Sequence, residues 1–577
     1  MSFRVRIIFY LLLFWAKIGS STLYSQLSDF ERKALDEAMA FYNLQPEDQP
    51  ENKVISNIYI FTKDPFTQES GFLTLLNHLH VKSKEDIIRR ELFVKIGDSY
   101  DSVLIQNSER VLRRLVLVRS MAVIVPMRGE NSGEVALLVV TRDILSLRPN
   151  FSFSASNWGL RDLELLISMG EYNFLGFNKA LSASYELKQG MHILSGRYFD
   201  PNLLGSRFEL TLKPGLIFAR DSFKLDGFLA EFELKKPLIS MTEKWGYGIE
   251  AQLGARPVID FTGGAIRKYK SVEGEDIERR YRWAYGEGKV FLRRSFGSIH
   301  KKEIFTNYTL KIKKPSIPQD LLLSKKSREE FVKKILPRDE LESYVTLGAA
   351  YFQNRFLTLY DYNNFKLQEV KSLGPLIKIS NDFASHVLLL SDHSFLRPHY
   401  SLAYTQDFGP DSFLTLSTTG SNRWDDGWSD NTFKFGLGFV SPHFFKLARV
   451  IVDARLSLAF QNRDNLKFTL GSDSGLRGVE SRFYSGTKAF CTNLELRSAP
   501  MDIWILHAGL VAFYDVGAAF DHWHEANATH SVGLGLRILA PQLSSELFRI
   551  DFGFPIYGRG HAKYGVVPSL GLGQAFN

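Results

Sequence analysis

The stretch GSDSGLRGVE, residues 471–480, sets one arginine, Arg477, among glycines and serines. Two carboxylates stand downstream of it in alternating segments. In FCTNLEL, Phe490, Leu494 and Leu496 form one side, leaving Cys491, Asn493, Glu495 and Arg497 on the other. In LVAFYDVGAAF, Tyr514, Val516 and Ala518 alternate with Asp515 and Gly517. Side chains alternate across a strand, so Glu495 and Asp515 fall on the polar faces of neighbouring antiparallel strands. An arginine makes paired, charge-assisted hydrogen bonds to such groups through a planar fork that lysine lacks. Gly475 and Gly478 let the backbone beside it turn tightly and approach a wall. The expected constellation is a lock of Arg477, Gly478, Glu495 and Asp515 that holds a loop in place, not a catalytic dyad. The competing reading is an exposed turn with a solvated arginine, its acids merely tuning a water-filled pore.

Other chemistry is sparse. DHWHE (521–525) offers His522 and His524, but histidines two apart in a polar turn are ordinarily surface residues, and no metal site is expected there. Cys491 is the only cysteine, which excludes an internal disulfide framework and any Cys-based zinc site. No G-x-S-x-G elbow, phosphate loop or paired-cysteine motif occurs. The expectation is a protein that is not an enzyme and needs no cofactor. The net charge of +8 is mild for 577 residues. It suits anionic lipid or lipopolysaccharide surfaces, while the absence of a concentrated Lys/Arg tract argues against nucleic acid as a partner.

The elements that would position Arg477 are strands. After Pro149 helical periodicity nearly vanishes and period-two alternation runs to the end. Examples are Phe208/Leu210/Leu212, Phe433/Phe435/Leu437/Phe439 and Phe548/Ile550/Phe552/Phe554, the last opposite Arg549 and Asp551. Such faces are satisfied by a soluble sandwich or by a membrane barrel with lipid outside and a polar lumen. Three features favour the barrel. An export signal is present, about 425 residues of strand exceed an ordinary sandwich domain, and charges stand opposite large aromatics. Closure also removes edges that lipid would not tolerate. At about 27 residues per strand with its loop, the length accommodates about sixteen antiparallel strands. The inserts 264–287 and 314–342 are expected as outer loops, with a short helix over 325–336.

The amino-terminal part differs. Residues 1–21 read as a signal peptide, with Arg4 and Arg6 before a short apolar core. Residues 27–52 read as an amphipathic helix and a linker, with Ser28 and Glu31 fitting a capping box at the helix start. Residues 53–148 read as a small α/β unit in the order strand, helix, helix, strand, strand, a helix pair packed on a three-stranded sheet. Residues 149–577 are the expected barrel. The fold class is therefore mainly β, a transmembrane antiparallel barrel preceded by a small α/β domain.

LRGV (476–479), NLELR (493–497) and FYDVG (513–517) resemble, in order and spacing, the last third of BamA/TamA-type outer-membrane assembly proteins. EYNFLGFNKALSASYEL (171–187) and YFDPNLLGSRFEL (198–210) are similar to that family's first barrel hairpins. RRELFVKIGDSYD and NSERVLRRL resemble its periplasmic POTRA domain, and LGLGQAF (570–576) its terminal barrel-targeting signal. The resemblance implies a loop folded back inside the barrel with Arg477 on acids of the inner wall. It also implies a lateral seam between the first and last strands, near 152–158 and 567–576, involving Gly571, Gly573 and Phe576. The implied activity is insertion or translocation of unfolded client proteins at the outer membrane of a Gram-negative bacterium, with the POTRA domain in the periplasm and its sheet edge also open to client strands. Periplasmic chaperones or accessory lipoproteins are conceivable helpers. A passive porin-like or structural barrel and a two-partner-secretion-type exporter are the alternatives. The helix at 27–44 resembles in position the plug helix of such exporters, and equally suits an arm packing on the POTRA unit.

Overall fold

The computed structural model describes residues 29–65, 80–114, 119–143, 145–156, 163–238, 243–262, 265–297, 299–365, 369–409, 411–503, 506–539, 547–559 and 565–576. The signal-peptide segment, Ser28 of the capping box and part of the seam at 157–158 lie outside them.

Apolar residues spaced three or four apart make Asp29–Tyr42 a helix (α1) with Ala34, Leu35 and Ala38 on one buried stripe. Val54–Lys63 (β1), Arg119–Arg128 (β2) and Glu134–Asp143 (β3) form a sheet in the order β1, β3, β2, with β1 parallel and β2 antiparallel to β3. Glu85–Glu91 (α2) and Ser102–Arg114 (α3) lie between β1 and β2 in the chain. Strand β3 is apolar on both sides, and both sides are covered. Val135, Leu137 and Val139 pack with Ile88 and Leu112 of the helix pair, while Ala136, Leu138 and Val140 pack under α1. The helix Asp29–Tyr42 is thus an arm on the α/β unit. Covering both faces explains why β3 reads as a continuous apolar run instead of an alternating one.

From Leu147 the chain becomes a closed antiparallel barrel. Twenty strands form its wall among the described residues, since the short Met501–Ile503 pairs only with Leu506–Phe520, beside the direct pairing of Lys488–Ser498 with that strand. The count exceeds the sixteen anticipated for a plain reason. The turns are shorter than assumed, so each strand with its loop takes about 21 residues, not 27, within the range known for such barrels. Leu494 and Leu496 are 43% and 48% exposed on the outside, whereas Glu495 between them is fully buried inside. A hydrophobic exterior around a polar lumen is the arrangement a bilayer requires. Among the described residues no helix is long and apolar enough to cross a membrane.

The outer loops are narrower than the inserts read from sequence. Residues 280–287 belong to the wall strand Arg280–Phe296, 314–316 end His300–Ser316, and 340–342 begin Glu340–Gln353. Their polar side chains face a charged lumen and so look like loop. The expected helix forms at Lys325–Lys334, where Ser324 accepts from the Ser327 amide, and its Phe331 packs with Ile277 of the other long loop.

Candidate functional site

Loop 461–487 joins the wall strands Ala448–Phe460 and Lys488–Ser498 and folds into the lumen. A small core holds it there: Leu470, Leu476, Val479 and Tyr484 pack against Cys491 and Ala519 of the wall. The sequence alternation puts Asn493, Glu495, Phe513, Asp515 and Asp551 on the inner faces of three strands, and the loop delivers Arg477 to them.

Arg477 is fully buried. Its Nε and Nη2 donate to the two oxygens of Asp515 at 2.7 and 2.8 Å, and Nη1 donates to Glu495 at 2.5 Å and to Asp551 at 3.5 Å. Its backbone amide donates to Asp515 at 3.2 Å, and its carbonyl accepts from Ser531 at 2.5 Å. The Phe513 ring lies 3.6 Å from the guanidinium carbon, a cation–π platform. Burial opposes the charge on Arg477, but Asp515 and Glu495, with Asp551 behind them, raise its pKa above the ordinary arginine value.

The carboxylates have further partners. Arg497 donates to Glu495 at 2.6 Å, Arg537 to Asp551 at 2.7 Å and Asn493 to Asp515 at 2.7 Å. Gly478 (φ +89°) lies against the wall at Gly553. A Cβ on Gly553 would stand 2.4 Å from the Gly478 nitrogen and 2.7 Å from its Cα. The close approach therefore needs glycine on both sides. Gly553→Val is expected to unseat the loop and to cost about 1–3 kcal/mol of overpacking strain, read as a lower thermal transition of the detergent-refolded barrel with unchanged strand content.

All four residues named from the sequence meet at one point. Asp551, Phe513, Ser531 and Arg537 were not singled out, although alternation already put Asp551 on the polar face of FRIDFGF. A second buried ion cluster also went unanticipated. Arg423 pairs with Glu340, and Glu342 accepts from Arg423 at 3.1 Å, Lys313 at 2.7 Å and Arg397 at 3.0 Å. It lines a polar lumenal cavity of about 760 Å³, where Asp464 of the inserted loop meets Arg338 at 3.1 Å. His522 and His524 lie in the turn 521–528, their rings stacked at 5.6 Å.

The seam residues fall differently from expectation. The last strand is Val567–Leu572, so Gly571 is in the wall, facing the Arg549 guanidinium. Gly573 and Phe576 are not in the seam. The chain turns inward at Gly573, whose φ is +75°, and Phe576 is buried beneath the lumen. Among the described residues the first strand, Leu147–Ser156, meets the last at Ser156 with Ser569 and Ala155 with Leu570. Its other side pairs with Glu164–Glu171 from Leu147 to Ser154.

Comparison with known proteins gives a family match for the later part of the chain. Residues 372–576, which contain the loop, the lock and the last strand, match the Omp85 superfamily domain. No curated protein matches the sequence. Among solved structures, CdiB from Acinetobacter baumannii is similar at 12% identity and a TM-score of 0.41, over 90% of this chain and 74% of that one. BamA from Haemophilus ducreyi lacking POTRA domains 1-3 is similar at 10% identity and a TM-score of 0.41, over 92% and 89%. At these values no activity carries over from either. The inserted loop and closed wall agree with that match: residues 372–576 are similar to an Omp85 superfamily domain, and they form the later part of a closed antiparallel β-barrel.

Proposed function

We propose that this protein inserts or exports client polypeptides at the outer membrane of a Gram-negative bacterium, admitting client strands at the seam between Leu147–Ser156 and Val567–Leu572. The observation that carries the reading is that, among the described residues, 147–154 of the first strand have no partner on the side of the last strand. The backbone of that stretch is an open strand edge among the described residues.

The unpaired stretch begins where the chain enters the barrel from the α/β unit, which we read as a periplasmic POTRA domain. A client arriving from the periplasm meets that edge first and pairs by strand addition. Backbone pairing and lipid burial of the client supply the driving force, so no nucleotide or cofactor enters. The POTRA sheet is a lesser site. The β1 carbonyls of Ile58 and Ile60 already accept from Arg89 and Tyr42, and residues 45–47 occupy one end of β2 through Glu47 and Arg128. A passive porin is disfavoured because the inserted loop fills part of the lumen. Lipopolysaccharide and phospholipid contact the exterior; chaperones or accessory lipoproteins would deliver clients.

The test is in vivo crosslinking from photoreactive residues at Asn150 and Ser152, with Leu416 on the far wall as control. Crosslinks to nascent outer-membrane or secreted proteins from the first two positions alone, with loss of those same proteins on depletion, are expected. A steady pore with no crosslinked client and an unchanged outer-membrane proteome would refute the reading.

A further inference from the structure

The chain enters the wall strand Gly374–Ala384 from the lumen floor, which the hairpin of Phe356–Leu359 with Glu369–Ser372 crosses. As the eleventh strand of the wall it runs, like the first, away from the α/β unit. The turn 385–394, which joins it to Phe395–Asp407, therefore stands at the opposite end, across the barrel from the seam. That turn reads SHVLLLSDHS. Val387, Leu388 and Leu390 are 75%, 83% and 71% exposed. Four apolar residues in a row at a loop tip are the reverse of what water favours, and they mark a surface that something apolar covers. The next turn at the same end, residues 425–427, reads DDG.

The turn satisfies its own backbone. Ser385 Oγ accepts from the amides of Val387 and Leu388 at 3.3 and 3.2 Å, and its carbonyl accepts from the Leu389 amide at 2.9 Å. Ser394 Oγ accepts from the His386 amide at 3.1 Å, and the Leu389 carbonyl accepts from the Ser391 amide at 2.8 Å. Asp392 fastens the turn to the neighbouring wall strand Glu340–Gln353. Its amide donates to the Leu341 carbonyl at 2.9 Å, and its carboxylate accepts from the Leu341 amide at 2.7 Å. The apolar tip is thus tied to the rim of the wall. Below it the outward-facing row continues across four strands: Phe383 stands opposite Leu396, Leu396 opposite Trp424 and Trp424 opposite Trp428, all of them exposed. The two indole rings lie 5.1 Å apart. Tryptophans on the outside of a barrel near the strand ends sit at the membrane–water boundary.

We propose that the turn 385–394 sets its apolar tip into the acyl layer of the outer leaflet and so anchors the wall that lies across from the seam. Three observations select lipid as the occupant. The tip is continuous, in sequence and in register, with the outward row of Phe383, Leu396, Trp424 and Trp428. The amides of the turn already have acceptors, which apolar surroundings demand and water does not. Residues 385–394 contain no lysine or arginine, so the contact is with acyl chains and not with phosphate groups. The inference is independent of the client-handling reading and adds an attachment beyond the strands themselves.

The experiment places the full chain, with Leu388→Cys labelled by the fluorophore NBD after folding, in phosphatidylcholine vesicles. The native Cys491 is buried and does not take the label. Asp426→Cys, on the exposed neighbouring turn, is the aqueous reference, and Leu416→Cys, in the middle of the outer wall, is the lipid reference. Emission from position 388 should lie to the blue of that from position 426. Phosphatidylcholine carrying a spin label near the headgroup end of its acyl chain should quench position 388 at least about twofold more than position 426, and iodide should quench it less, as for a side chain at the acyl boundary. Position 416 should respond most to a spin label at the middle of the chain, which separates wall from rim. Leu390→Cys should repeat the result from a second position. Equal emission and quenching at 388 and 426 would put the turn in water and overturn the proposal. Blue emission shielded from iodide but insensitive to the spin-labelled lipid would also overturn it, because a second copy of the chain would then cover the tip.

Discussion

Arg477→Ala should lower the unfolding free energy of the refolded barrel by roughly 3–5 kcal/mol, the cost of breaking a buried ion pair from one side. The size follows from what each carboxylate keeps. Glu495 retains Arg497, and Asp551 retains Arg537 and Arg549. Asp515 keeps Asn493 but loses both guanidinium bonds and the Arg477 amide as the loop shifts. The effect is thus concentrated on one stranded carboxylate. Arg477→Ala combined with Asp515→Ala should cost clearly less than the two single changes added together, because neither partner is then left buried alone. Arg477→Lys should rescue little, since one ammonium cannot span both oxygens of Asp515 and reach Glu495. Equilibrium denaturation in detergent or lipid, scored by tryptophan fluorescence and by mobility of the unheated barrel, reads all four proteins. Loss below about 1 kcal/mol in Arg477→Ala, the range of an exposed pair, would place the arginine in water and discard the lock.

What the sequence disclosed follows from how local the information is. Glu495 and Asp515 were legible because alternation fixes which side of a strand a residue takes, and one residue of slip would flip both. Asp551 had the same parity in the same kind of segment, but only the path of the loop decides how far Arg477 reaches. Glu340 and Glu342 read locally as outer loop because a charged strand start resembles solvated chain until its partner, Arg423, arrives from some eighty residues away. The wall holds more strands than the alternation suggests for a similar reason, since polar lumenal positions at strand ends are indistinguishable locally from loop. The hairpin 356–372 carries the alternation of a wall strand, and nothing in its period separates a segment that lines the lumen from one that crosses it. The tail shows the same limit: LGLG alternates as a wall strand does, and nothing local in QAF tells that the left-handed turn at Gly573 takes Phe576 out of the wall.

The seam is where the largest functional effect is expected. If client strands enter between the first and last strands, closing that junction covalently should abolish insertion while leaving the fold intact. Ser156 and Ser569 are cross-strand partners at the junction. Cysteines there are close enough for a disulfide in a sheet, where directly opposed Cβ atoms stand about 4.5–5.5 Å apart and need only a small approach. The native Cys491 is buried inside the loop core and does not compete. The control is a pair at Leu416 and Leu437, cross-strand partners on the far wall, which tethers strands already held by a full ladder.

The decisive measurement is client insertion by proteoliposomes carrying the Ser156→Cys/Ser569→Cys variant, with and without dithiothreitol. Insertion should vanish when the disulfide forms, return to the wild-type rate on reduction, and be indifferent to the far-wall pair. Undiminished insertion through an oxidised, fully crosslinked junction would show that clients do not pass between these strands.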